Sequence, residues 1–407
     1  MSTGHTFRLG AAAARGLGRL AVDALGDIGG LSMPFRADDV CRPQVLTKLI
    51  NEHAVPWVPG PVDLSTVQRQ DVPSISSNCQ NLVLTLEQAG EPRLPDSVFL
   101  KLPMESLATR WFFSVINSWR LESHFFRHVA RDLPLRTPFT YATGWRGTRF
   151  FLLQENLRED PAVELFTNPD MMAGPSLDLV HRCLNAFARL HSHYFGLDWL
   201  EQQRILPLDY HPFLSPSMGP VSRTLNGLAL SPCVKKHPGE IPQDVEAVYR
   251  LTLHHWDELL DHWFSGPLSL LHGDSHLGNF FVSGGEMGML DWQAAHWGKG
   301  IRDVQYFLID SLPAGTLAEC ERQLIDYYVA RRAHHGDAID GERAWQDYRG
   351  FTFHTLMTIV VAVGFGALNE QQDELMTEIL KRAVAAIQRV DYPGWLRDRL
   401  AGRADQA

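Results

Sequence analysis

Apolar and polar residues alternate over two short stretches in the first quarter of the chain. Leu82-Val83-Leu84-Thr85-Leu86 and Ser97-Val98-Phe99-Leu100-Lys101-Leu102 predict strands, and the Gly90, Pro92 and Pro95 between them suit a hairpin with a longer loop. The period then changes. Trp111, Phe112, Val115, Trp119, Phe126 and Val129 recur at three- and four-residue steps and predict one helix. Glu122 falls on that apolar stripe, while Arg120, Arg127 and Arg131 fall on the other side. A further apolar strand, Phe150 to Leu153, ends abruptly in Gln154-Glu155-Asn156. Beyond it the stripe Leu177, Val180, Leu184, Phe187, His191 and Tyr194 opens a mostly helical half.

Residues 207–242 are rich in Pro, Ser and Gly, with Tyr210, Phe213 and Met218 interspersed, and read as an irregular excursion. A strand–turn–strand is expected near 267–292, and the remainder is helix. The longest apolar run, Leu356 to Leu368, has 13 residues; a bilayer span takes about 20, so it reads as a buried helix and no membrane span is expected. The fold class that emerges is α+β. A partly helical N-terminal extension (1–45) precedes a small strand-rich lobe (46–155) and a larger, mostly helical lobe (156–407).

Composition narrows the function. Of 407 residues, 45% are hydrophobic and 21% charged, which is ordinary for a globular protein. The formal net charge is −10, with no Lys/Arg-rich block. Nucleic-acid affinity rests on neutralising phosphates, so a nucleic-acid partner is not expected. Cys41, Cys79, Cys183, Cys233 and Cys320 are scattered, odd in number and without a CxxC pair; they read as reduced thiols in a cytosolic protein. The HExxH and GxxxxGK[ST] spacings are absent, which removes a zinc hydrolase and a P-loop NTPase.

The stretch that carries chemistry is His272-Gly273-Asp274-Ser275-His276-Leu277-Gly278-Asn279, followed after one apolar strand by Gly284-Gly285 and after another by Asp291-Trp292. A hairpin closed symmetrically about Gly285 sets Val282 opposite Gly288 and Asn279 opposite Asp291. Directly opposed side chains on one sheet face lie about 4.5–5.5 Å apart at Cβ. An amide oxygen and a carboxylate so placed suit magnesium, which takes hard oxygen ligands and fills its remaining positions with phosphate and water. Asp274, five residues before Asn279, is placed to accept a hydrogen bond from an attacking hydroxyl. Lys101 is the only lysine between Lys48 and Lys235. Glu122 on a buried stripe needs a cation; with the neighbouring arginines on the other side of the helix, Lys101 is the nearest plausible one in sequence. Such a pair would hold an ammonium ready for phosphate oxygens.

These residues resemble the aminoglycoside phosphotransferase and choline kinase superfamily, whose HGDLHPGN-like loop matches His272 to Asn279 at all but two positions. The resemblance runs over roughly residues 45–395, and Asp291-Trp292-Gln293 with Arg302-Asp303-Val304 looks closest to its ecdysteroid-kinase-like branch. It implies a protein-kinase-like bilobal fold and an ATP- and Mg²⁺-dependent kinase acting on a hydroxyl of a small molecule. Asp274 matches the catalytic aspartate, Asn279 and Asp291 the magnesium ligands, and Lys101 and Glu122 the phosphate-holding lysine and its partner. Gln154, Glu155 and Asn156 match the hinge whose backbone meets adenine, and His272 and Asp303 match residues that brace the catalytic loop. The nucleotide loop departs from the family. Ser74 to Asn81 contains no glycine; serine hydroxyls such as Ser77 and an asparagine that tolerates the left-handed region, Asn78, could still make a tight phosphate-facing turn. That departure supports a second reading, a nucleotide-binding module without transfer. For the acceptor, a polycationic aminoglycoside calls for several carboxylates. Tyr210, Phe213, Met218, Phe351, Phe353 and Met357 point instead to an apolar or amphipathic alcohol, sterol-like or hydroxyacyl, or else are core.

Overall fold

Alternation along β2 (Cys79–Gln88) and β3 (Ser97–Pro103) sends Leu82, Leu84 and Leu86, and Val98, Leu100 and Leu102, to one face of a sheet, where all are buried. The computed structural model describes residues 3–58, 60–72, 79–207, 216–366 and 369–404. Its contacts divide the chain into two units: Met1–Glu164 with Gln203–Pro212 and Met289–Ala294, and Leu165–Gln202 with Phe213–Gly288 and Ala295–Ala407.

In the first unit, β1 (Leu64–Val72), β2, β3, β4 (Thr140–Arg146) and β5 (Arg149–Glu155) form an antiparallel sheet in the order β1-β2-β3-β5-β4. The helices are α1 (Thr3–Ile28), α2 (Ala37–Val40), α3 (Pro43–His53), α4 (Leu107–Val115) and α5 (Ser118–His128). Leu46, Leu49 and Ile50 of α3 join the leucine face of the sheet, together with Phe151 and Leu153 of β5. Each such side chain, fully buried, is worth about 1.5–3 kcal/mol. Successive strand residues point to opposite faces, so Lys101, between Leu100 and Leu102, faces away from this cluster. Trp119, Phe125 and Phe126 of α5 are also buried.

The single helix expected over 111–129 is two. Asn117, in the left-handed region at φ 62°, separates α4 from α5. Asparagine tolerates that conformation where most residues do not, and the buried stripe resumes beyond it through Trp119, Glu122 and Phe126. The N-terminal residues, expected to be partly helical, form α1, a helix of 26 residues.

The second unit is mainly helical: α6 (Asn168–Ala173), α7 (Leu177–His193), α9 (Gly219–Lys236), α10 (Gln243–His254), α11 (Trp256–Trp263), α12 (Ile301–Ser311), α13 (Ala314–His334), α14 (Gly341–Phe365), α15 (Glu370–Arg389) and α16 (Tyr392–Ala404). Four short strands interrupt it: β7 (Ser269–Leu271), β8 (Phe280–Ser283), β9 (Glu286–Met289) and β10 (His296–Gly298). The division between the units falls within β6 (Val163–Leu165), α8 (Trp199–Ile205) and the end of β9.

The irregular excursion expected at 207–242 is overturned by α9. Pro220 sits in its first turn, where no amide donor is needed. Small residues then let α9 lie close to α14: a Cβ on Gly364 would come within 2.5 Å of the Ala229 carbonyl oxygen. Phe351, Phe353, Met357 and Met218 are buried, Phe351 stacked on Trp263 at 5.3 Å and Phe353 on Tyr392 at 5.7 Å. They are core, so they do not support an apolar acceptor; Tyr210 and Phe213 lie outside the described residues. All five cysteines are unpaired, and no helix of the described residues is long and apolar enough to cross a membrane.

Candidate active site

The charge centre of the first unit forms around Lys101 of β3. Its Nζ donates to Glu122 Oε1 at 2.9 Å and to Asp291 Oδ1 at 3.1 Å. Lys101 is 6% exposed and Glu122 1%. Burial alone would push the ammonium down, but the carboxylates of Asp291 and Glu122 outweigh it and hold the group above the ordinary lysine value. Burial lifts Glu122 above the usual carboxylate range, against the pull of Lys101. A second acid facing the same lysine explains why one ammonium is kept charged in so dry a place.

Asp291 is held there by its neighbours. Its backbone is left-handed (φ 53°), and the Trp292 ring that follows is fully buried, stacked on Phe125 of α5 at 4.3 Å. Trp292 Nε1 donates back to the Met289 carbonyl, and the Met289 amide donates to the Arg136 carbonyl. The indole thus acts as the anchor that aims the preceding carboxylate.

At the end of β5 the three expected hinge side chains are all engaged within the protein. Gln154 Nε2 donates to Thr140 Oγ1 at 3.1 Å. The Glu155 carboxylate accepts two bonds from Arg136, at 2.7 and 3.1 Å, and one from the Phe139 amide. Asn156 Nδ2 donates to Ser97 Oγ at 3.0 Å. Ser77 and Asn78 lie outside the described residues.

In the second unit the loop after β7 is braced by one buried aspartate. Asp303 Oδ2 accepts the His272 amide at 2.7 Å and Oδ1 the Gly273 amide at 3.0 Å, while Ser275 Oγ donates to the Asp303 carbonyl. Gly273 is at φ 85°, a conformation that glycine adopts without strain. The Asp274 amide donates to His272 Nδ1 at 3.3 Å, and Asn279 Nδ2 donates to the Asp274 carbonyl at 2.7 Å. His272, Asp274, Asn279 and Asp303 are thereby brought together, with the backbone of Asp274 tied from both sides.

The hairpin differs from the expected one. β8 and β9 are hydrogen-bonded neighbours joined by the two residues Gly284 and Gly285, both at positive φ. Such a two-residue turn centres the hairpin between the glycines and not on Gly285. Asn279 closes a 3₁₀ turn before β8, and Asp291 lies two residues beyond β9, so neither belongs to the ladder and the expected cross-strand pairing of the two is not formed.

Three contributors escaped the sequence reading because their partners are distant in the chain. His191 of α7 is fully buried, with Nε2 3.2 Å from Asp303 Oδ2 and Nδ1 2.9 Å from the Tyr328 hydroxyl. Arg332 donates to that hydroxyl at 2.8 Å, so the phenol hydrogen goes to His191 Nδ1 and the histidine donates from Nε2 to Asp303. Burial would lift Asp303; the bond from His191 and the nearby His272 and Arg302 outweigh it and hold the carboxyl below its ordinary value. Tyr306 of α12 hydrogen-bonds the Asp274 side chain, and burial, with Asp310 and Asp274 nearby, pushes its phenol well up, so it stays protonated and donates. Tyr306→Phe removes that donor without changing shape. The expected result is a fall in kcat of roughly 3- to 10-fold, the net value of one typical hydrogen bond, with nucleotide affinity unchanged. An unaltered kcat would remove Tyr306 from the site.

Among solved structures, a choline kinase from Cryptosporidium parvum is 12% identical, with a TM-score of 0.46 over 89% of this chain and 96% of its own. The choline kinase LicA from Streptococcus pneumoniae is 9% identical, with a TM-score of 0.45 over 79% and 93%. An aminoglycoside 2'-phosphotransferase-IIIa in complex with GDP is 12% identical, with a TM-score of 0.45 over 84% and 99%. A search of curated protein sequences gives no match. The model of the phosphotransferase enzyme family matches residues 117–351, from the joint before α5 through the loop after β7 into α14. With more than half of its length so matched, the chain belongs to the phosphotransferase enzyme family, and with it to the protein-kinase-like α+β fold expected from the HGD loop.

Proposed function

We propose that this phosphotransferase moves the terminal phosphoryl group of ATP to a hydroxyl of a small molecule, with Mg²⁺ as cofactor. The observation that carries the reading is the braced loop. Asp303 fixes the two amides before Asp274 and Asn279 fixes its carbonyl, so the carboxylate is delivered in one place with Tyr306 donating to it. Asp274 would accept a hydrogen bond from the acceptor hydroxyl, orient its lone pair and take its proton late. Lys101, kept charged by two carboxylates, would hold phosphate oxygens, and Glu122 would keep the ammonium in place. The backbone at Gln154, Glu155 and Asn156 would meet adenine, and Ser77 and Asn78 are assigned to the phosphates on residue chemistry alone.

The donor chemistry fits magnesium. Asp291 brings a carboxylate; Asn279 has its amide nitrogen committed to the Asp274 carbonyl, which leaves its oxygen as the ligating atom. Magnesium, when bound, neutralises charge on the transferring group. The rest of catalysis is positioning by this chain's own residues. The Asp291-Trp292-Gln293 and Arg302-Asp303-Val304 sequences support placement in the ecdysteroid-kinase-like branch, and five unpaired thiols support a reducing, cytosolic setting.

The test is a metabolite-pool screen. Protein, ATP and Mg²⁺ are incubated with a cell extract, and mass spectrometry follows compounds that gain one phosphate. A product formed only with active protein is expected, and its identity gives the acceptor. A pool without any such product, alongside saturable ATP binding, would favour the module without transfer.

A further inference from the structure

The N-terminal helix is built around one joint of the first unit. Its inward residues are Ala12, Gly16, Asp23 and Gly26. Gly16 marks the closest approach to α4: a Cβ there would come within 2.6 Å of Val115 Cγ2 and 2.7 Å of Trp111 Nε1. One turn further on, the Arg19 guanidinium donates to the Ser114 carbonyl oxygen, in the last turn of α4, and to Asn117 Oδ1. Asn117 is the left-handed residue that separates α4 from α5. The same guanidinium lies over the Trp145 ring at 5.3 Å, and Arg120 of α5 lies over that ring at 5.2 Å.

The next turn of α1 is fixed as firmly. Asp23 accepts from the amide and the hydroxyl of Thr148 in the β4–β5 turn and stands 3.6 Å from Arg110 and 3.7 Å from Arg149. Asp27 accepts two bonds from Arg149, at 2.9 and 2.6 Å. With a close helix contact before it and ion pairs after it, Arg19 is held in place, and what it holds is the joint.

Glu122 lies five residues past Asn117 on α5, about 7 Å along the axis at 1.5 Å per residue. A tilt of roughly ten degrees at the joint would shift its carboxylate by about 1 Å, and displacements of that size at a reacting site cost about 10²-fold. We propose that Arg19 is a positioning residue for phosphoryl transfer: by tying Ser114 to Asn117 it fixes the α4–α5 joint and keeps Glu122 in register with Lys101. The proposal rests on the nucleotide role given above to Lys101 and Glu122.

The test uses the full chain, Arg19→Ala and Arg19→Lys, each with and without Glu122→Gln. Affinity for a fluorescent ATP analogue with Mg²⁺ is one readout; amide hydrogen exchange is the other. Arg19→Ala is expected to weaken the analogue about 10-fold, by 1.4 kcal/mol, and to speed exchange over Leu121–Phe126 while leaving α14 unchanged. In the Glu122→Gln background its effect on affinity should shrink below about 2-fold, since the residue through which it acts is already altered. Arg19→Lys, which keeps one donor at the joint, should recover part of both. Equal losses with and without Glu122→Gln, or unchanged exchange in α5, would overturn the proposal. If the unmodified protein does not bind the analogue, the nucleotide reading fails separately, and the exchange measurement still decides whether Arg19 sets α5.

Discussion

Asp274→Ala abolishes phosphoryl transfer while nucleotide affinity stays within about 3-fold of the unmodified protein. The expected loss in kcat is about 10²–10⁴-fold, the usual value of a positioned general base. Asp274→Asn is the sharper variant. Asparagine keeps the size of the side chain and can still accept from Tyr306, but it cannot take a proton. If transfer needs the carboxylate to orient and then deprotonate the acceptor, both variants fall together. Steady-state kinetics with titration of a fluorescent ATP analogue separates the chemical step from binding. Near-normal turnover in Asp274→Asn would show that the braced loop serves some end other than base catalysis.

The second large effect is at Lys101. Lys101→Met removes the cation that Glu122 and Asp291 share, and Glu122 is almost wholly buried. Leaving a buried charge without its partner costs about 3–5 kcal/mol. Transfer should drop by about 10²–10³-fold, as when one preorganised donor to a developing charge is lost. The stability loss carries a pH signature. Burial already lifts Glu122 above its unfolded value, and without Lys101 it rises further, so the folded variant keeps a proton that the unfolded chain gives up once pH passes about 4.3. Folding then takes up protons, and stability declines as pH rises until the folded pKa is passed. The difference between Lys101→Met and the unmodified protein should therefore be smaller at pH 5.5 than at pH 8.5. Urea unfolding at the two values checks it; a loss that is greater at pH 5.5 would contradict the buried carboxylate assigned to Glu122.

How much could be read from the chain depended on how local each signal was. The HGD loop is contiguous, so its residues announced themselves, and the alternation around Lys101 placed it on a strand between buried leucines. Glu122 was legible because a carboxylate on an apolar stripe demands a cation. The break at Asn117 was not, since the apolar period runs through it and only the left-handed backbone shows that one helix has become two. α9 was hidden by its prolines and small residues, which read as loop composition until the close contact of Ala229 with Gly364 gives them a reason. His191, Tyr328 and Tyr306 were invisible as site residues: each sits on a helical stripe like any core side chain, and only the bonds of His191 to Asp303, Tyr328 to His191 and Tyr306 to Asp274 set them apart. The aromatics of α14 show the converse, a set of residues that looked like a ligand surface and packs as core. The hairpin register turned on a single residue, because a Gly-Gly turn closes between its two glycines.

The most direct measurement follows the phosphorus itself. With γ-labelled ATP, Mg²⁺ and a library of hydroxyl compounds, the unmodified protein should move label onto an alcohol and Asp274→Ala should not. Label that stays in the nucleotide, with ATP bound equally by both proteins, would mean that this fold holds a nucleotide without passing its phosphate on.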